Sequence, residues 1–273
     1  MNASYGIGRE LSVLTSELAT APRNAYMIAM RLVTLALSVL WSTTMIAATD
    51  PIRRTRQCLV VVSRDWNAKT GVLRAFERKS SRSAWQTHGP AIPVVLGKKG
   101  LAWGRGLVDF NAAVRKVEGD NKAPAGIFRL GPAFGYAPKP AARWIKLSYV
   151  PLTAQSEGID DPHSRYYNQL VDRSKVARVD WHSSERMLRA DDLYKWGVVV
   201  AHNSPARPGA GSCIFLHVWK DSRSATAGCT AMTEQDLLNL LRWLNPTARP
   251  VLVQMPQAGY DATRAKFRLP AVR

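Results

Sequence analysis

A histidine and a cysteine stand twelve positions apart in the C-terminal third of this 273-residue chain, within Gly211-Ser212-Cys213-Ile214-Phe215-Leu216-His217-Val218-Trp219 and then Gly228-Cys229-Thr230-Ala231-Met232. A free thiol with a pKa of about 8.5 is mostly protonated at neutral pH, and a neighbouring imidazole that takes its proton leaves a nucleophilic thiolate. Period-two alternation places Cys213, Phe215, His217 and Trp219 on one strand face, so His217 falls at a strand end. The polar loop 220–227 can fold the chain back to bring Cys229 to it. Gly228 leaves a substrate carbonyl unobstructed, and the amides that follow it can donate to a tetrahedral oxyanion. Other readings stay open on spacing alone: a satisfied strand histidine beside a small buried thiol, a disulfide joining Cys213 to Cys229 or to Cys58, or zinc held by His202, His217 and Cys229.

At these residues the sequence resembles the YkuD-type L,D-transpeptidase family, whose signature is a His, a variable loop, then Ser/Thr-x-Gly-Cys; here it reads His217, then Thr226-Ala227-Gly228-Cys229. Upstream, Pro124-Ala125-Gly126-Ile127-Phe128 is similar to the family's Pro-x-Gly-x-Phe element. The resemblance covers most of residues 58–256. It implies a β-sandwich or barrel, no cofactor or metal, and a cysteine that takes an acyl group from a peptidoglycan tetrapeptide stem and passes it to an amine or to water. Cys229 is then the nucleophile, His217 the general base, and Gly228 with Cys229 part of the oxyanion site. Many members carry a His before the Gly-Cys and an Arg two places after the Cys; Ala227 and Ala231 stand there instead. Lys220 or Arg223 in the loop is the candidate to replace that Arg toward a substrate carboxylate. A carboxypeptidase on the same site and a non-catalytic wall-binding domain are the alternatives.

Further polar candidates lie elsewhere. The stretch 160–168 concentrates charge and aromatics, and its Asp161 and Tyr167 are candidates to bind the stem peptide, against a plain Asp-Pro turn. Trp181 to Glu185 either lines the groove or caps a helix at Ser183 or Ser184. His202 ends a Val-rich strand and is a further candidate near the site.

The elements that must position these residues read as mostly strands. The β-branched runs 58–63 and 72–78 flank a turn-prone segment and predict an opening hairpin. Pro90, Pro93 and Gly97 break the next segment, and Gly100, Gly104 and Gly106 keep the following one loop-like. More strands are expected at 126–130, 145–150, 197–202, 212–219 and 251–255. One helix has a clear pattern: Thr233 caps 234–244, whose Leu237, Leu238, Leu240, Leu241 and Leu244 form a stripe before Asn245-Pro246. The sum is a mainly β domain with a few helices, read as a single domain and a monomer.

The chain carries 38 Lys and Arg against 20 Asp and Glu, a net +18, with nine tryptophans and 46% hydrophobic residues. That composition fits a packed enzyme-sized domain and anionic partners. The basic residues, among them Lys98, Lys99, Arg105, Arg115, Lys116 and Arg189, are scattered without a zinc-finger or RNA-binding motif, which argues against nucleic acid and for a basic face that suits a polyanionic wall. Arg31, the apolar run 32–41 and small residues up to Ala47-Ala48 have the form of a secretory signal, with a membrane anchor as the alternative. Residues 1–48 are thus expected to be an N-terminal extension and export segment, and 49–273 the catalytic domain, located in the periplasm or cell envelope. An odd count of three cysteines in an exported chain leaves at least one thiol unpaired within it.

Overall fold

A computed structural model describes residues 52–110 and 112–272. The export segment lies outside them, and no helix among the described residues is long and apolar enough to cross a membrane.

The expected opening hairpin forms. β1 (Gln57–Ser63) pairs antiparallel with β2 (Thr70–Glu77), which pairs with β3 (Gln86–Val95). On its other edge β1 lies parallel to β13 (Val251–Pro256), and β13 pairs antiparallel with β5 (Ala123–Gly135). β10 (Trp196–Val200), β11 (Phe215–Val218) and β12 (Thr230–Met232) continue from β5 back to β3. Because β10 pairs with both β5 and β11, the strands close on themselves as a β-barrel-like sheet. β4 (Leu101–Trp103) and β6 (Tyr149–Pro151) add to β5. A separate small sheet orders β8 (Leu170–Asp172), β7 (Ser156–Gly158) and β9 (Glu185–Arg186).

The uniform apolar run of β1 has its reason in this arrangement. Cys58 to Val61 are all buried, with strands on both edges and α2 (Gln257–Arg264) packed on β1 and β13, so alternation is not required. α1 (Glu234–Trp243) forms where the leucine stripe predicts it, buries Leu237, Leu240 and Leu241, and packs on β10 and β11. Thr233 caps it by accepting the Asp236 amide at 3.0 Å.

Several boundaries differ from the sequence reading. Residues 86–95 form a strand despite Pro90 and Pro93, because its outer edge meets β12 at Val95 alone and a missing donor there breaks no ladder. In 145–150 the strand is confined to the end, from Tyr149, while Ile145 and Leu147 are buried outside any strand. The alternation expected from Cys213 begins only at Phe215, since Cys213 has φ +52°, a left-handed conformation. No helix starts at Ser183 or Ser184; the chain enters β9 there.

Candidate active site

Cys229 immediately precedes β12, and its placement follows from the strands around it. Leu216, His217 and Val218 pair in parallel register with Thr230, Ala231 and Met232. Residues two apart share a strand face, so Cys229 and Ala231 lie on the face that carries Phe215 and His217. Thr230 is tied from behind: its hydroxyl donates to Gln254 Oε1 at 2.7 Å, and Gln254 Nε2 donates to the Pro124 carbonyl at 3.0 Å. The Pro-x-Gly-x-Phe segment thus braces the strand that follows Cys229 through one buried glutamine.

The thiol itself is a buried free cysteine. Its Sγ donates to the Cys213 carbonyl at 3.5 Å and accepts the Phe215 amide at 3.4 Å. Burial, with the Glu185 carboxylate adding to it, pushes the Cys229 thiol up to about 12. Cys58 and Cys213 are free as well, so neither disulfide reading holds in this structure.

His217 is buried, and its Nδ1 lies 2.7 Å from the Val218 carbonyl. A carbonyl only accepts, so Nδ1 carries the proton and Nε2 keeps its lone pair, the tautomer a general base needs. Burial pulls the imidazole down to about 4, which keeps it neutral at physiological pH. Tyr194 stands edge-on against the ring, at 90° with centroids 5.2 Å apart, and its hydroxyl donates to Glu185 Oε1 at 2.5 Å. Among the described residues no hydrogen bond joins His217 to Cys229.

Both side chains line one cavity of about 600 Å³, together with Gly228, Ala231 and Lys220. Gly228 donates its amide to the Thr226 hydroxyl at 3.1 Å, and that hydroxyl donates to the Cys229 carbonyl at 2.7 Å. The Gly228 amide is therefore engaged within the turn.

The remaining sequence candidates lie away from the cavity lining. Arg223 is exposed in the turn that Asp221 organises. His202 is buried, accepts the Arg105 amide on Nδ1 at 3.2 Å and meets the Ala210 carbonyl through Nε2 at 3.0 Å. With both ring nitrogens so occupied and the ring outside this cavity, the zinc trio of His202, His217 and Cys229 is not assembled. Asp161 is buried and accepts the backbone amides of His163 and His182, which hold its carboxyl below the usual range. Tyr167 is buried and donates its hydroxyl to Glu118.

Asp161 and Tyr167 instead support loops that bring other groups in. Glu118, Asp160, Glu185 and Arg189 line the cavity, as do Lys98 and Lys116. Arg189 is held by Asp191 at 2.5 Å and Lys116 by Asp120 at 2.5 Å, whereas Lys98 and Lys220 form no ion pair among the described residues. Of the acidic residues, Glu185 stands in the Trp181 to Glu185 stretch singled out as groove lining. Glu118 and Tyr194 carry no motif, and only the folded loops deliver them.

A cysteine next to one strand and an imidazole with a fixed tautomer on its parallel neighbour, both lining one charged cavity, are an arrangement of the kind that can carry out cysteine acyl transfer. The L,D-transpeptidase catalytic domain (YkuD) family model matches residues 74–253, and the chain belongs to that family, whose members act on peptidoglycan. No curated protein and no solved structure matches the chain.

Proposed function

We propose that the protein is a peptidoglycan L,D-transpeptidase that works through an acyl-enzyme on Cys229. The observation that carries this reading is the shared strand face of Cys229 and His217 at one cavity, with Nδ1–H of His217 committed to Val218. The thiol attacks the carbonyl carbon before the terminal D-residue of a tetrapeptide stem, and its proton passes to Nε2 of His217. The oxyanion of the tetrahedral intermediate takes the Cys229 amide, since the Gly228 amide is engaged by Thr226. The C–N bond then breaks as His217 returns the proton to the departing amine, leaving a thioester. An acceptor amine, deprotonated by His217, attacks the thioester carbonyl and frees the thiol with its proton; with water as acceptor the outcome is carboxypeptidase trimming.

Both groups are neutral at rest, so the thiolate forms during attack rather than beforehand. Ala231 supplies no cation, and the cavity lysines Lys98 and Lys220, which form no ion pair among the described residues, serve the substrate carboxylate. Export to the periplasm or cell envelope on the N-terminal signal completes the reading, with membrane anchoring through that segment as the alternative.

Incubating the protein with disaccharide-tetrapeptides and separating the products by liquid chromatography and mass spectrometry tests it. Crosslinked dimers are expected from wild type and none from Cys229→Ala. Tripeptide products alone would reassign it as a carboxypeptidase, and no product at all would reduce it to a wall-binding domain.

A further inference from the structure

Of the lysines that line the Cys229 cavity, Lys98 and Lys220 are exposed, whereas Lys116 is only 5% exposed. Its stem lies against two glycines: a Cβ on Gly211 would stand 3.0 Å from Lys116 Cγ, and one on Gly228 would stand 3.8 Å from Lys116 Cε. Gly228 directly precedes the nucleophile, so the charged end of this lysine approaches the turn that presents Cys229. Taking an ammonium out of water is costly unless hydrogen bonds replace the lost hydration. Here Lys116 Nζ donates to Asp120 Oδ1 at 2.5 Å and to the Val117 carbonyl at 2.9 Å. Asp120 is fixed in turn by the amides of Val117 at 3.0 Å and Lys122 at 2.9 Å. The Lys122 carbonyl lies 3.1 Å from where a Cβ on Gly228 would be, so the turn 116–122 packs directly behind that glycine.

The Lys116–Asp120 pair is neutral as a whole, but its two ends are not equivalent. Lys116 lines the cavity and Asp120 stands outside the lining, so the positive end faces the reacting atoms. A dipole fixed in a site of low dielectric acts more strongly than in water and needs no reorganisation as charge develops. Burial and then Glu185 push the Cys229 thiol up, while the Phe215 amide and Lys116 pull it down. Attack on a substrate places negative charge first on the sulfur and then on the carbonyl oxygen, both beside Gly228 and Cys229. A positive charge held there favours those charged states over the neutral thiol and substrate, which lowers the barrier rather than strengthening substrate binding.

We propose that the buried ammonium of Lys116, held in place by Asp120, is the fixed positive charge that stabilises the sulfur and the oxyanion while Cys229 is acylated. The inference rests on the acyl-enzyme reading above and divides the cavity lysines by role. The exposed Lys98 and Lys220 meet the substrate carboxylate and bear on affinity, whereas Lys116 faces the reacting atoms and bears on rate.

Lys116→Met removes the charge and keeps the length of the side chain; pairing it with Asp120→Asn leaves no carboxylate without its partner. In this double variant, alkylation of Cys229 by iodoacetamide, read by peptide mapping, is expected to slow roughly three- to tenfold. Its kcat on a tetrapeptide muropeptide should fall by about ten- to a hundredfold with KM unchanged. Lys116→Arg keeps the charge and should recover most of both. Asp120→Asn alone keeps the ammonium and removes its counter-charge, so alkylation should accelerate by about twofold or more, and this variant decides the matter where the double variant does not unfold cooperatively. Alkylation at the wild-type rate in the folded double variant, a loss confined to KM, or no acceleration in Asp120→Asn would overturn the proposal. A wild-type protein that is alkylated but never acylated by muropeptides would reject the acyl-enzyme reading instead, and alkylation would still report on Lys116.

Discussion

A thiol whose polar neighbours are a carbonyl and an amide, with a carboxylate close by and no cation in hydrogen-bond contact, holds its proton through neutral pH. Cys229 is such a thiol, and His217 is too poor a base at rest to form a standing ion pair with it. Proton transfer is then part of the attack, in the manner of a serine enzyme more than of a preformed thiolate. Glu185 raises the thiol further, so Glu185→Gln should ease thiolate formation. Alkylation of Cys229 by iodoacetamide at pH 8 is expected to accelerate by roughly two- to tenfold, a shift of up to one pKa unit. An unchanged or slower rate would show that the carboxylate does not act on the sulfur. At this scale His217, Gly228 and Cys229, which line the cavity, were legible because their order along the chain is itself the motif, and Lys220 because it lies in the loop between them. Glu118, Arg189 and Tyr194 stayed hidden, because long loops with no periodicity bring them to the cavity.

The strand that carries His217 is short and depends on what packs against it. α1 lies on β10 and β11, so the cap that starts α1 bears on the site as well as on stability. Thr233→Ala should cost about 1 kcal/mol in urea unfolding, the usual worth of a lost N-cap. A loss below a few tenths would mean the first turn is held by packing alone. α1 was legible from its leucine spacing and cap, and β1, β2 and β13 from their β-branched runs. β3 was not, because Pro90 and Pro93 normally end a strand and the exposed edge that tolerates them exists only once the sheet is assembled. Cys213 broke the expected alternation for a similar reason: its φ of +52° accompanies a hydrogen bond from its amide to Asn168 Oδ1 at 3.0 Å, a partner distant in sequence.

The whole molecule folds around groups that must stay neutral, and this sets its pH range. His202 and His217 both fall from 6.5 unfolded to about 4 folded, so the unfolded chain binds more protons once pH drops below about 6.5. Each should cost roughly 2–3 kcal/mol between pH 7.5 and pH 4.5. The thiols of Cys58, Cys213 and Cys229 are raised above their unfolded value of 9.0, so stability should also decline as pH climbs past about 9. Urea midpoints are expected to peak between these limits, and a midpoint that rises on acidification would refute the neutral burial of the histidines. The mainly β class was legible in local pattern, whereas the sandwich or barrel came only with the family resemblance, since closure depends on β10 pairing with β5 across a long separation that no local pattern encodes. Intact-mass spectrometry after brief exposure to a tetrapeptide muropeptide probes the central claim most directly. Wild type should gain the mass of the acyl group, His217→Ala should gain it far more slowly, and Cys229→Ala should gain none; an adduct of the same mass on Cys229→Ala would contradict the account.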